Sequence, residues 1–165
     1  KALGRFASTL KADGTLNGVF EDARVQFLWA QGQGTLVEPT RIEGMNIGSV
    51  DDLLASKVKV VGDRAELRDY FDLMEIEIQA NRLVEEGLRL YMARYSVAPS
   101  HSSIGHILKG FGYFDDLTDD PQLERERGPN LAAKVTTYWK RRQPTIVASF
   151  DPYATSPPWP PTPSD

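Results

Sequence analysis

The chain contains no cysteine, which excludes a disulfide framework, a cysteine nucleophile and thiolate metal sites. No apolar run is long enough to cross a bilayer, and the first residues lack the apolar core of a secretion signal, so the expected location is cytoplasmic with no membrane partner. Positive charge is in short supply: 19 lysines and arginines stand against 23 acidic residues, a formal net charge of −4. A protein that coats nucleic acid through its overall field carries the opposite balance, so only a local basic site is compatible with such a partner. The two histidines, His101 and His106, have no third ligand in the sequence around them and read as loop residues. The Gly32-Gln33-Gly34 stretch lacks the spacing and the lysine-serine ending of a phosphate loop and reads as a turn.

What is there suits one domain, or a domain with an appended tail, since 165 residues can bury a real core. The opening KALGRFASTL begins at lysine and reads as the middle of a longer chain. Thr15 to Trp29 alternates, is rich in β-branched and aromatic residues, and turns at Glu21-Asp22, so it predicts a hairpin or two successive strands. Leu36 to Ile47 reads as an extended connection interrupted by Pro39 and Gly44. Ser49 followed by Asp52 has the pattern of a capping box. After it, Val50, Leu53, Leu54, Val58 and Val61 recur at helical spacing, and Gly62-Asp63 closes the element. A second helix starts near Glu66 and a third covers Leu83 to Tyr95, weakened by Gly87. A short helix near Ile104 to Leu108 and an aromatic turn through GFGYFDDLTDDP follow. A last helix begins after Gly128 and runs to Arg142. The fold class expected is α+β, with strands in 1–48, helices in 49–143 and a tail in 144–165. Six of the eleven prolines lie in 151–165, which cannot form helix or inner strand.

The chemistry concentrates in SKVKVVGDRAELRDYFDL. Lys57 falls three or four residues from Leu53, Leu54 and Val61, on the apolar stripe, whereas Lys59 lies on the wet side. Two readings stand side by side. Its stem packs while the ammonium escapes at the rim, or carboxylates or a bound phosphate hold it inward, because an unpaired buried ammonium is costly. On the next helix Asp69 shares a side with Leu73 and Ile76, while Leu67, Phe71, Met74 and Ile78 make a second stripe. A network of Lys57, Arg64, Arg68, Asp69 and Asp72 follows from this spacing, either as an ion-pair lattice clamping two helices or as a catalytic site. Two weaker signals have plain counterparts. Lys134, Lys140, Arg141 and Arg142, interleaved with Tyr138 and Trp139, form a local RNA-contacting face or a solvated helix end. Asp115, Asp116, Asp119 and Asp120 form a cation-attracting cluster or a solvated turn.

The run SVDDLLASKVKVVGDRAELRDYFDL resembles the lysine-arginine-RDxxDL signature of the AbiEii/AbiGii-type nucleotidyltransferase toxins, in the polymerase-β-like superfamily. Lys57, Arg64, Arg68, Asp69, Asp72 and Leu73 stand in register with it, and RVQFLW, IEGMNIGSVDDL, VEEGLRLYMARY and GYFDDLTDDP follow the same order. The resemblance implies a partial nucleotidyltransferase-like sheet followed by a helical C-terminal half. It also implies transfer of a nucleoside monophosphate from a nucleoside triphosphate to an acceptor such as RNA or a tRNA end, in a toxin-antitoxin system with an antitoxin protein as partner. Lys57 and Asp69 would be catalytic, Arg64, Arg68 and Asp72 would bind nucleotide or brace the site, and Mg2+ would be the cofactor. Two departures stand out. The family's Gly-Ser loop and paired metal carboxylates have no counterpart in this chain and are expected upstream of Lys1, and Gln26 occupies a strand position where relatives place a carboxylate. The alternative is a non-catalytic binding or regulatory module on the same scaffold.

Overall fold

The structure is a computed structural model describing residues 6–12, 14–29, 33–64 and 66–152. The readings made for the N-terminal KALGR, for Gly32 and for the proline-rich stretch beyond residue 152 lie outside the described residues. Strands come first and helices follow, an α+β arrangement. Two compact units divide between Gln33 and Gly34.

The first unit is an antiparallel sheet in the order β1 (Phe6–Ala12), β2 (Thr15–Phe20), β3 (Ala23–Leu28). The predicted pair around Glu21-Asp22 is β2 and β3, with Phe20 opposite Ala23. Both turn residues have positive φ, 46° and 69°. That geometry gives the twist a two-residue hairpin needs. Strand β1 was not foreseen. It pairs with β2 through an irregularity between Ser8 and Leu10, which breaks the alternation a sequence reading depends on.

The second unit opens with another unforeseen hairpin, β4 (Thr40–Ile42) and β5 (Met45–Ile47). Glu43 and Gly44, at φ 51° and 85°, form its turn, so the glycine that reads as an interruption is the hinge of a ladder. Six helices follow: α1 (Val50–Asp63), α2 (Leu67–Ala80), α3 (Val84–Arg94), α4 (His101–Gly110), α5 (Pro121–Arg127) and α6 (Leu131–Ser149), so that His101 and His106, which read as loop residues, lie on α4, behind the Ser100 cap that starts it.

Helix α1 begins where Ser49 predicts, its side chain accepting from the Asp52 amide at 3.0 Å. The reciprocal half of the capping box is redirected. The Asp52 carboxylate accepts from the amides of Leu36 and Val37 and pairs with Arg94, fastening the incoming chain to α1 and α3. Burial and these bonds oppose one another, and the bonds from Leu36, Ser49 and Arg94 prevail, holding the Asp52 carboxyl below its usual range. The buried stripe of α1 is Leu54, Ala55, Val58 and Val61, while Val50 and Leu53 are exposed. The predicted stripe is therefore rotated by part of a turn. On α2, Leu67, Phe71, Leu73 and Ile76 are buried as expected, but Ile78 is exposed.

The core also gathers Val84, Leu88, Ile104, Ile107, Phe111 and Val135 around Trp139. The Trp139 indole donates to the Tyr70 carbonyl at 3.0 Å and its ring meets Phe111 at 4.7 Å. Helix α5, absent from the sequence reading, starts at Pro121 with Asp120 as cap. Helix α6 runs past Arg142 and through Pro144. Pro144 is exposed, and beyond it Ile146 and Phe150 are buried. Apolar burial thus outweighs the one backbone bond proline removes.

Candidate functional site

The corner between α1 and α2 is short because Gly62-Asp63 ends one helix and Glu66 begins the next. Lys57 lies two turns before this corner, and Asp69 and Asp72 lie in the first turns beyond it, so the antiparallel return brings them face to face. The Lys57 ammonium is 3.0 Å from Asp69 Oδ1 and 2.5 Å from Asp72 Oδ2. Arg64, at the end of α1, donates its Nε to the other Asp69 oxygen at 3.0 Å and reaches Glu66 at 3.1 Å. The Asp69 side chain is 2% exposed, that of Lys57 20% and that of Arg64 53%. Asp69 is thus the sunken anchor, and the two cations line its way to solvent.

Burial opposes charge on Lys57, but the Asp72 and Asp69 carboxylates more than offset it and keep its pKa above the ordinary lysine value. The ammonium is therefore charged throughout the physiological range. Of the two readings of this lysine, the geometry is the one in which carboxylates hold it.

Four of the five residues predicted to form a network come together. Arg68 does not join them. Its guanidinium turns to Asp120, with Nη2 2.8 Å and Nε 2.9 Å from Oδ2. The cause lies in the backbone: the Leu67 amide donates to the Thr118 carbonyl at 3.2 Å, which brings the 118–120 segment beside the start of α2. Asp120, expected in an acidic turn, is thereby the cap of α5 and the partner of Arg68. Among the described residues, no group of three or more His, Asp or Glu side chains is placed to hold a metal ion. Both Asp69 oxygens already face cations, so the described residues do not fit a magnesium site.

A second polar cluster leaves a fainter mark on the sequence. Glu77 of α2, 2% exposed, accepts from the Val84 amide at 2.9 Å, from Arg142 at 2.9 and 3.0 Å, and from the Tyr138 hydroxyl. Arg142 also reaches Glu85 at 2.8 Å. Burial works against the Glu77 charge, yet Arg142, Tyr138 and the Val84 amide outweigh it and lower its pKa. Burial, together with Glu77, pushes the Tyr138 hydroxyl up to about 12. Sequence reasoning missed this cluster, although a signal exists: an acidic residue on an otherwise apolar face in LMEIEIQ, one turn beyond Leu73.

No family model, no curated protein and no solved structure matches this chain. Among the described residues, no helix is long and apolar enough to cross a membrane.

Proposed function

We propose that this chain belongs to a cytoplasmic nucleotidyltransferase of the toxin type, which moves a nucleoside monophosphate from a nucleoside triphosphate to an RNA acceptor and is held in check by an antitoxin. The supporting observation is the Lys57 ammonium set inward between Asp69 and Asp72, with Arg64 on the same Asp69. An ammonium has three donors, and the two carboxylates engage two of them. The third is available to a phosphate oxygen, for which lysine acts as a point charge. Asp69 positions both cations at once, and Asp72 fixes the ammonium from the solvent side. Arg68 has no part in this site, being committed to Asp120. Magnesium, which the resemblance implies, finds no ligand set among the described residues, and the chemistry assigned to Lys57, Arg64, Asp69 and Asp72 rests on those four side chains alone.

The test is incorporation of labelled nucleotide into RNA by the full-length protein supplied with nucleoside triphosphates and magnesium. Lys57→Ala and Asp69→Asn each lower incorporation by about a hundredfold or more, with far-UV circular dichroism unchanged. Wild-type incorporation in both variants defeats the site assignment.

One observation favours a non-catalytic module instead. Glu66, Asp69 and Asp72 outnumber Lys57 and Arg64, so the cluster has no surplus positive charge for a polyphosphate and serves well as a clamp between α1 and α2. Binding of a labelled nucleoside triphosphate separates the readings: affinity that falls with Lys57→Ala belongs to the enzyme, and no measurable binding by wild type belongs to the clamp.

A further inference from the structure

Helix α6, LAAKVTTYWKRRQPTIVAS, contains four cations and no aspartate or glutamate, in a chain where acids outnumber bases. Only Arg142 turns inward, to Glu77 and Glu85. Lys134, Lys140 and Arg141 are exposed. None of the three has a carboxylate partner among the described residues. Lys134 and Arg141 are seven residues apart and so lie on one ridge, with Thr137 between them and Asn130 a turn before, along a shallow concavity that these side chains line with Ala133 and Tyr138. Lys140 flanks the ridge, its ammonium 6.0 Å from the Phe114 ring centre.

We infer that this ridge of α6 binds the phosphodiester backbone of single-stranded RNA, which makes it the acceptor-holding surface of the transfer reaction proposed above, on which this inference rests. The spacing suits such a ligand. Seven residues of helix rise about 10 Å, roughly three steps of a stacked strand. Threonine and asparagine add neutral donors of the kind that accompany arginine and lysine on phosphates. The small side chains Ala133 and Thr137 let a backbone approach closely. A membrane surface is the poorer match, because an interfacial helix needs an apolar face beside its basic one, and Leu131, Val135, Trp139 and Ile146 are all buried in the core. The uncompensated cations also explain how an acidic protein can hold an anionic polymer: the field that matters is local, screened beyond about 10 Å.

The experiment measures fluorescence anisotropy of a labelled single-stranded RNA oligonucleotide titrated with the full chain at several salt concentrations. Wild type is compared with the triple variant Lys134→Gln, Lys140→Gln, Arg141→Gln, and with Lys134→Arg, Lys140→Arg, which retains the charge. The triple variant binds at least tenfold more weakly at about 50 mM salt, and the slope of log affinity against log salt falls by about 2, as three lost phosphate contacts require. The arginine variant binds as wild type does. Affinity and slope unchanged in the triple variant, or binding of an oligoglutamate peptide or of phosphatidylserine vesicles in place of RNA, overturns the inference. The two proposals fail separately. Full-length protein that binds RNA through this ridge and incorporates no nucleotide overturns the transfer reading alone, and incorporation sensitive to Lys57→Ala but with RNA affinity untouched by the triple variant overturns this surface alone.

Discussion

A buried carboxylate has the largest effect where it serves several donors at once, because each bond it accepts offsets part of the same desolvation cost. Asp69 does this for two cations at the α1–α2 corner, and Glu77 does it for Arg142, Tyr138 and the Val84 amide between α2, α3 and α6. Glu77 gives the sharper prediction. Its folded pKa is depressed below the ordinary 4.5, so its contribution is fully present above that value and is lost as pH falls through the folded pKa. Wild type should therefore lose thermal stability progressively below about pH 4.5. Glu77→Gln should be less stable at pH 7 by about 3 kcal/mol, since Arg142 then depends on Glu85 alone, and its melting temperature should decline less steeply between pH 7 and 3. Parallel melting curves for the two proteins over that range would remove Glu77 from the acid response.

At the scale of elements, the sequence marks where a helix begins better than how far round it is buried. Ser49 and the Gly62-Asp63 stop delimit α1 correctly because caps are local chemistry, whereas the exposure of Val50, Leu53 and Ile78 is decided by which neighbours arrive. Strands β4 and β5 escaped because three residues are too few to show alternation. Pro144 masked the end of α6 for the opposite reason, a strong local signal overridden by burial beyond it. The Lys57, Asp69 and Asp72 contact was legible, since it needs only two helical periods and a short corner. Arg68's partner Asp120 is 52 residues away and left no trace in spacing. Gly87 shows the same division. By propensity it weakens α3, yet a Cβ there would lie 2.8 Å from Leu54 Cγ and 2.9 Å from Val58 Cγ2, so the glycine is what lets α3 approach α1. Gly87→Ala should then lower stability by about 1–2 kcal/mol in urea titration, overpacking outweighing the roughly 1 kcal/mol gained in propensity. Gly105 in α4, where a Cβ meets nothing within 4 Å, is the control: alanine there should stabilise by about 0.5–1 kcal/mol. Equal effects at the two positions would mean that propensity alone governs both.

For the whole molecule, the core formed by the described residues runs from Leu54 to Phe150, within the second unit. Side chains of β1 are exposed along its whole length, and of β2 only Gly18 is buried. A three-stranded sheet of this size is marginal by itself, whereas a helical core of this extent unfolds as one cooperative body. A fragment starting at Gly34 should therefore keep the helical circular dichroism spectrum, a single sigmoidal melt and a transition temperature within about 5 °C of the full chain, a shift that corresponds to roughly 1 kcal/mol for a domain of this size. A peptide of residues 1–33 should show no cooperative transition. The corner holding Lys57 and Asp69 and the basic ridge of α6 both lie in the Gly34 fragment, so its nucleotide and RNA affinities should equal those of the full chain. Loss of the helical signal on removing the first 33 residues would mean that the helical unit is not self-sufficient.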